Sequence, residues 1–156
     1  MSLREEVETL RQIPLFAKVD PSKIKLLAFT SERVTFQPGE LLCKQGDMGD
    51  AAYVIISGQA DVLIDTPNGS IRVATFKKND VVGEIAILIN IPRTATIKAS
   101  SELTALRITK DLFLRMISEF PEMAVEMMRV LAERLVRTTA ELQKAQESLQ
   151  KAENDD

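Results

Sequence analysis

Glycine is confined to the middle of this chain. All six glycines lie between Gly39 and Gly83, and neither glycine nor proline occurs after Pro121. Because glycine and proline mark turns, the central block predicts many short elements joined by tight connections. The last third of the chain, which has neither residue, predicts an uninterrupted helix. We therefore expect a turn-rich β domain that carries a long C-terminal helix.

Short β-like runs fill the central block. They are rich in β-branched and aliphatic residues, and turn signals such as Pro38-Gly39 and Asn68-Gly69 separate them. This spacing predicts a mainly β fold with flanking helices, in which residues 34–108 form a double-stranded β-helix, or jelly-roll, barrel. The predicted strands are Val34–Phe36, Leu41–Lys44, Ala52–Ile56, Ala60–Asp65, Ile71–Phe76, Thr94–Ala99 and Leu103–Ile108.

Helical segments are predicted on both sides of the barrel, in residues 1–33 and 109–156. The first segment predicts a short helix from Val7 toward Phe16 and a second from about Pro21 to Phe29. In the second segment, Thr109 is a suitable N-cap for one helix, and Pro121 suits the first turn of the next.

The last helix carries a seam of apolar and small residues that alternate steps of three and four, the spacing of a coiled coil. A helix running to the end of the chain is longer than so small a domain needs. We therefore expect part of it to meet a partner chain, in a homodimer. The seam consists of Met128, Leu131, Leu135, Thr138, Leu142, Ala145, Leu149 and Ala152.

Composition excludes several classes of function. A net charge of −3 opposes the basic surface that direct nucleic-acid binding requires. The chain has no histidine, which argues against hydrolytic triads and zinc sites. We expect a protein that is not an enzyme. Cys43 is the only cysteine, so no intrachain disulfide forms, and we expect it to be a small buried strand residue. With no signal-peptide pattern and no apolar run of ~18–20 residues, we expect a cytoplasmic protein that does not enter the membrane.

The most informative stretch is residues 82–96, where a glycine is followed by an apolar half-helix, an arginine and a strand. A one-turn helix starting near Ile85 would direct its free N–H groups toward Gly83-Glu84, as in phosphate sites. The guanidinium of Arg93 can bind two phosphate oxygens, and the hydroxyl of Thr94 can donate another hydrogen bond. Glu84 would repel a phosphate, so a role for it in ligand binding requires a neutral hydrogen-bond donor elsewhere on the ligand, such as a sugar hydroxyl. A 3′,5′-cyclic nucleotide offers both ends, a phosphate and a ribose 2′-OH.

This stretch resembles the phosphate-binding cassette of the cyclic-nucleotide-binding family, which includes catabolite activator proteins and regulatory subunits of cyclic-nucleotide-dependent kinases. An upstream signature, Gly46-Asp47, Gly49 and Gly58 around a strand, resembles the family's barrel glycines, although Ala52 stands where a larger residue is usual. The resemblance runs from about Ile13 to Phe120. The cassette pattern is met by Gly83, Glu84, Ala86, Ile87, Arg93, Thr94 and Ala95.

The resemblance implies a role for each cassette residue. Glu84 would accept the ribose 2′-OH, and Arg93 would pair with the cyclic phosphate. Thr94 and the backbone of Ala86 and Ala95 would complete the phosphate cradle. Gly83 and Ile85 belong to the same expected site. No metal or further cofactor is implied, and the ligand is a purine cyclic nucleotide.

The C-terminal helix extends the resemblance. Arg134, Thr138 and Thr139 are similar to the base-contacting residues on the dimerisation helix of catabolite activator proteins, with one threonine contributed by each chain. This similarity favours cAMP, while Thr94 is also compatible with cGMP. No DNA-recognition helix follows, so we expect a free-standing sensor or a piece of a longer protein.

Two other functions stay open at this point. An interaction domain of the same fold could dimerise without binding a nucleotide, but the intact Glu84 and Arg93 argue against it. A jelly-roll enzyme of the cupin kind would need a cage of metal-binding histidines, which the sequence lacks.

Overall fold

The computed structural model describes residues 3–155; residues 1, 2 and 156, at the ends of the predicted terminal segments, lie outside the described residues. Across the described residues, eight strands form two antiparallel sheets, with the orders β1-β8-β3-β6 and β2-β7-β4-β5. The predicted mainly β fold with flanking helices is confirmed. The strands are β1 Glu32–Phe36, β2 Leu41–Cys43, β3 Ala51–Ser57, β4 Ala60–Thr66, β5 Gly69–Phe76, β6 Val81–Val82, β7 Thr96–Ala99 and β8 Leu103–Thr109.

The two sheets face each other across an apolar core. Both sheets contribute side chains to it, for example Ile55 and Leu103 from one and Val62 and Ile97 from the other. The outer face of the β1-β8-β3-β6 sheet is covered in turn by helices. Because β3 is buried on both faces, its sequence is a continuous apolar run rather than an alternating one.

Within residues 3–155, six helical segments flank the sheets. Asp20 caps α2 through the N–H of Ser22, and Thr109 caps α4 through the N–H of Leu112, as its sequence position predicts. The segments are α1 Leu3–Arg11, a 3₁₀ turn Pro14–Phe16, α2 Pro21–Thr30, α3 Glu84–Leu88, α4 Lys110–Glu119 and α5 Pro121–Asn154.

Helix α5 has 34 residues and extends about 50 Å. Its first turns pack on the helical layer through Met123 and Met127, which are buried. From Leu135 onward, every described residue of the helix is exposed. None of the described helices is long and apolar enough to cross a membrane.

The structure differs from the sequence prediction in several local details. Helix α1 begins at Leu3 rather than Val7, and β1 begins at Glu32 rather than Val34. Val81–Val82 forms a short strand that was not predicted, because two residues between turns give no periodic signal. Strand β7 begins at Thr96 rather than Thr94, since the backbone before it turns to place the Arg93 side chain inside. Cys43 lies in a strand, as expected, but is only partly buried.

Candidate functional site

The site is built where β6 leads into α3. Gly83 joins the two elements with φ +84° and ψ 7°, a left-handed conformation that favours glycine. A side chain at this position would collide with the guanidinium of Arg93. Gly83 is therefore required by both its backbone conformation and the space around it.

Arg93 returns into the protein opposite Gly83 and is 5% exposed. Its guanidinium donates to the carbonyl oxygens of Gly83 and Ala51, each at 2.6 Å. Its backbone is also fixed, because the Arg93 N–H donates to the Asp47 carbonyl at 2.7 Å. A Cβ on Gly49 would lie 2.8 Å from the Cβ of Ala86, beside the same guanidinium. The arginine is thus held in one orientation by rigid backbone groups.

Glu84, the first residue of α3, is 1% exposed. Its carboxylate accepts a hydrogen bond from Nη1 of Arg134 on α5, and Nη2 of Arg134 donates to the Val81 carbonyl at 2.8 Å. The Arg134 guanidinium also lies over the Phe76 ring, 5.0 Å from its centre. Burial raises the pKa of the Glu84 carboxyl, and the positive charge of Arg134 opposes that rise. The Arg134–Glu84 contact therefore connects helix α5 directly to the cassette.

These residues line one cavity of about 180 Å³. The three charged groups in its lining, Arg93 and the Glu84–Arg134 ion pair, leave one net positive charge, which the exposed carboxylate of Asp50 at the edge of the site offsets in part. Such a cavity suits a ligand with a single negative charge and a polar hydroxyl. It is lined by Cys43, Val62, Phe76, Gly83, Glu84, Ile85, Ala86, Arg93, Thr94, Ala95, Ile97 and Arg134.

The expected site residues of the cassette line this cavity together with Arg134: Gly83, Glu84, Ile85, Ala86, Arg93, Thr94 and Ala95. Ile87, which also belongs to the cassette pattern, packs in the apolar core instead. Thr138 instead lines a neighbouring cavity of about 430 Å³ between β5 and α5, and Phe76 and Arg134 line both cavities. Thr139 is exposed and belongs to the lining of neither cavity. Within one chain, the structure thus brings Arg134 to the cassette but not the two threonines.

Sequence reasoning missed several residues at the site, of which Phe76 and Asp50 lie against its charged groups. Phe76 gave no signal because an aromatic residue at a strand end is usually part of the core. The carboxylate of Asp50 lies 3.6 Å from Arg93. Asp50 follows a Gly-Asp turn, where an aspartate is an ordinary turn residue and does not indicate a functional site. Cys43 also borders the cavity, but burial raises the pKa of its thiol, which does not favour a reactive group.

Comparison with known proteins gives a consistent result. Residues 33–120 match the family model described as the cyclic nucleotide-binding domain. A CRP-like cAMP-activated global transcriptional regulator from Mycobacterium tuberculosis is 32% identical over 136 residues, covering 86% of this chain and 61% of that protein. A cAMP-dependent protein kinase regulatory subunit from Emericella nidulans is 30% identical over 108 residues, covering 69% of this chain and 26% of that protein.

The solved structures support the same assignment. The catabolite activator protein of Thermus thermophilus superposes with a TM-score of 0.73 at 26% identity, covering 83% of this chain and 61% of that chain. The chain spans less than two thirds of the length of each of these three relatives. The family model alone matches more than half of the chain, and it includes every cassette residue. The chain belongs to the family of cyclic nucleotide-binding domains.

Proposed function

We propose that this chain is a regulatory sensor that binds one cAMP molecule and passes the binding event to helix α5. The observation that carries the proposal is the single cavity in which buried Arg93, fixed by two carbonyl groups, lies beside the Glu84–Arg134 pair. The role is regulatory rather than catalytic, as the names of the kinase and transcription relatives suggest for those proteins. The cytoplasmic location expected from the sequence stays a prediction.

The ligand would bind in a defined orientation. Its phosphate would pair with Arg93 and Thr94, and its ribose 2′-OH would donate to Glu84. The cassette cavity of about 180 Å³ is smaller than the ~300–1,000 Å³ of typical small-molecule sites. The base would therefore extend past Phe76 and Arg134 into the 430 Å³ cavity lined by Thr138.

Titration calorimetry with cAMP and cGMP, on wild type and on Arg93→Ala, tests the proposal. We expect cAMP to bind at one per chain and more tightly than cGMP. Arg93→Ala should cost roughly 2–5 kcal/mol of binding free energy, about 30-fold or more in affinity, because it leaves the phosphate charge unpaired. Arg93→Lys should also weaken binding, since an ammonium group does not reproduce the planar fork.

The outcomes separate the competing functions. Tighter binding of cGMP would make the chain a cGMP sensor with the same cassette. No binding of either nucleotide by the folded wild type would favour the interaction domain of the same fold. An alanine variant that binds as tightly as wild type would contradict the role of Arg93.

The second part of the proposal is a parallel homodimer formed along α5. Large seam residues of this helix lie open to solvent in the single chain: Met128, Leu135 and Leu142 are 62%, 66% and 57% exposed. In a parallel coiled coil, a residue flanking the seam faces the partner residue five positions further along. Arg134 of one chain would then face the partner's Thr139, so this threonine would approach the site from the second chain.

Sedimentation with and without cAMP tests the dimer. Because Thr138, Ala145 and Ala152 are poor seam residues, the coil should be weak alone, and ligand that contacts both chains should tighten it. A variant carrying Leu135→Glu and Leu142→Glu should stay monomeric. A wild type that remains monomeric at high concentration with saturating cAMP would refute the dimer and leave α5 as a connector within one chain.

A further inference from the structure

Asp50 lies between two arginines at the edge of the site. Its Oδ1 is 3.6 Å from Nη2 of Arg93, and its Oδ2 accepts a hydrogen bond of 3.1 Å from Nη2 of Arg107 on β8. The side chain of Asp50 is 72% exposed, whereas that of Arg93 is only 4% exposed. One solvent-facing carboxylate is therefore shared by the buried Arg93 and the partly exposed Arg107.

The two carbonyl groups and the carboxylate act differently on Arg93. The carbonyl groups of Gly83 and Ala51 fix the direction of the guanidinium, but they are neutral and leave its charge in place. Asp50 supplies the opposing charge from the solvent side. The geometry of Arg93 therefore does not depend on Asp50, while its electrostatic state does.

We propose that Asp50 is a counter-ion that competes with the ligand's phosphate for Arg93 and thereby lowers the affinity of the sensor. This inference rests on the proposed function, because it assumes that the phosphate binds Arg93. When the phosphate pairs with Arg93, two anions face one buried cation, and their repulsion opposes binding. Arg107, which also lies 4.0 Å from Glu32, keeps Asp50 paired in the bound state. A sensor must release its ligand when the concentration falls, and such a counter-ion sets that threshold.

The exposure of the Asp50 side chain determines how strongly it should affect cAMP affinity. Solvent and salt screen an ion pair whose carboxylate is mostly exposed, so its contribution is modest. We expect Asp50→Asn to bind cAMP about two- to fivefold more tightly than wild type at low salt. The gain should shrink as the salt concentration rises.

Calorimetry with cAMP on wild type, Asp50→Asn, Asp50→Glu and Glu32→Gln at two salt concentrations tests the inference. Asp50→Glu restores the carboxylate and should return the affinity toward that of wild type. Glu32→Gln is the matched control, because Glu32 is a similarly exposed acid that contacts Arg107 but has no ion pair with Arg93. It should leave cAMP affinity unchanged.

Each result has one interpretation. Tighter cAMP binding by Asp50→Asn, together with unchanged cAMP affinity of Glu32→Gln, supports the counter-ion role. Unchanged or weaker binding by Asp50→Asn overturns it and leaves the proposed function standing. An equal gain in both variants also overturns it, because a general loss of negative charge would then explain the change. If wild type binds no cAMP, the proposed function fails and this inference fails with it.

Discussion

The two halves of helix α5 both carry apolar residues at helical spacing, but they have different surroundings. In the proximal half, residues 121–134, Met123 and Met127 are 0% and 3% exposed and belong to the main apolar core. In the distal half, residues 135–154, Leu142 and Leu149 are 57% and 63% exposed. Both halves carry the same three-four spacing, so the pattern alone does not decide which face is buried.

The boundary between the halves lies at Arg134. It is the last partly buried residue of the helix, and it is also the residue that contacts Glu84 and the Val81 carbonyl. The chain's own fold therefore accounts for the buried face of the proximal half and for the cassette, although the seam residue Met128 of that half is exposed. The apolar stripe of the distal half needs another explanation, which the proposed dimer provides.

The sharpest test of this comparison is one truncation in each half. Met127→Ala removes a fully packed core side chain and should lower the free energy of unfolding by about 2–5 kcal/mol. Leu142→Ala, measured in the same urea titration at low protein concentration, should change it by less than about 0.5 kcal/mol. If Leu142→Ala greatly lowers the free energy of unfolding of the monomer at low protein concentration, the comparison is contradicted. Such a result would mean that the distal half is covered within one chain.

The cassette can be perturbed without touching either half of the helix. Gly83→Ala forces a side chain into a left-handed backbone position and against the guanidinium of Arg93. We expect cAMP affinity to fall about 30-fold, close to the loss from Arg93→Ala, because the arginine is displaced.

Gly69→Ala is the matched control for that substitution. Gly69 also has a positive φ, +112°, but nothing lies within 4 Å of where its Cβ would be. It should show a similar backbone cost in urea denaturation and keep its cAMP affinity. Equal affinity losses in the two variants would indicate general strain rather than displacement of Arg93.

Much of this architecture could be predicted from local sequence signals. The turn glycines defined the strands, Thr109 and Pro121 marked the starts of α4 and α5, and the family pattern identified the cassette. These signals work because each depends on residues close together in the sequence. Six residues of the cassette pattern then line one cavity with Ile85 and Arg134, while Ile87 packs in the core. Their roles in ligand binding stay predictions.

The long-range contacts could not be predicted in the same way. The pairing of Arg134 with Glu84 joins residues fifty positions apart, and the contact of Asp50 with Arg93 depends on a turn that brings two loops together. Charge and hydropathy patterns along the sequence do not indicate which distant residues come into contact. The resemblance pointed Arg134 toward the base, whereas in the structure its guanidinium holds the carboxylate proposed to bind the ribose.

The smallest expected effect concerns the carboxylate of Glu84, which contacts Arg134 at the boundary between the two halves of α5. Glu84→Gln keeps the shape of the side chain and one acceptor oxygen, but it removes the charge that Arg134 and the ribose 2′-OH would share. We expect a smaller affinity loss than from Arg93→Ala. We also expect the penalty for 2′-deoxy-cAMP relative to cAMP to fall by about 1 kcal/mol.

The same variant shows whether the boundary at Arg134 depends on the ion pair. Without its charged partner, Arg134 keeps the Val81 carbonyl and the Phe76 ring, so the proximal half should stay packed. Hydrogen exchange of backbone amides should therefore rise only in the turns on either side of Arg134. If wild type and Glu84→Gln show the same 2′-deoxy penalty, Glu84 does not bind the ribose. If exchange around Arg134 is also unchanged, the carboxylate does not hold the helix, and a different contact must connect the cassette to α5.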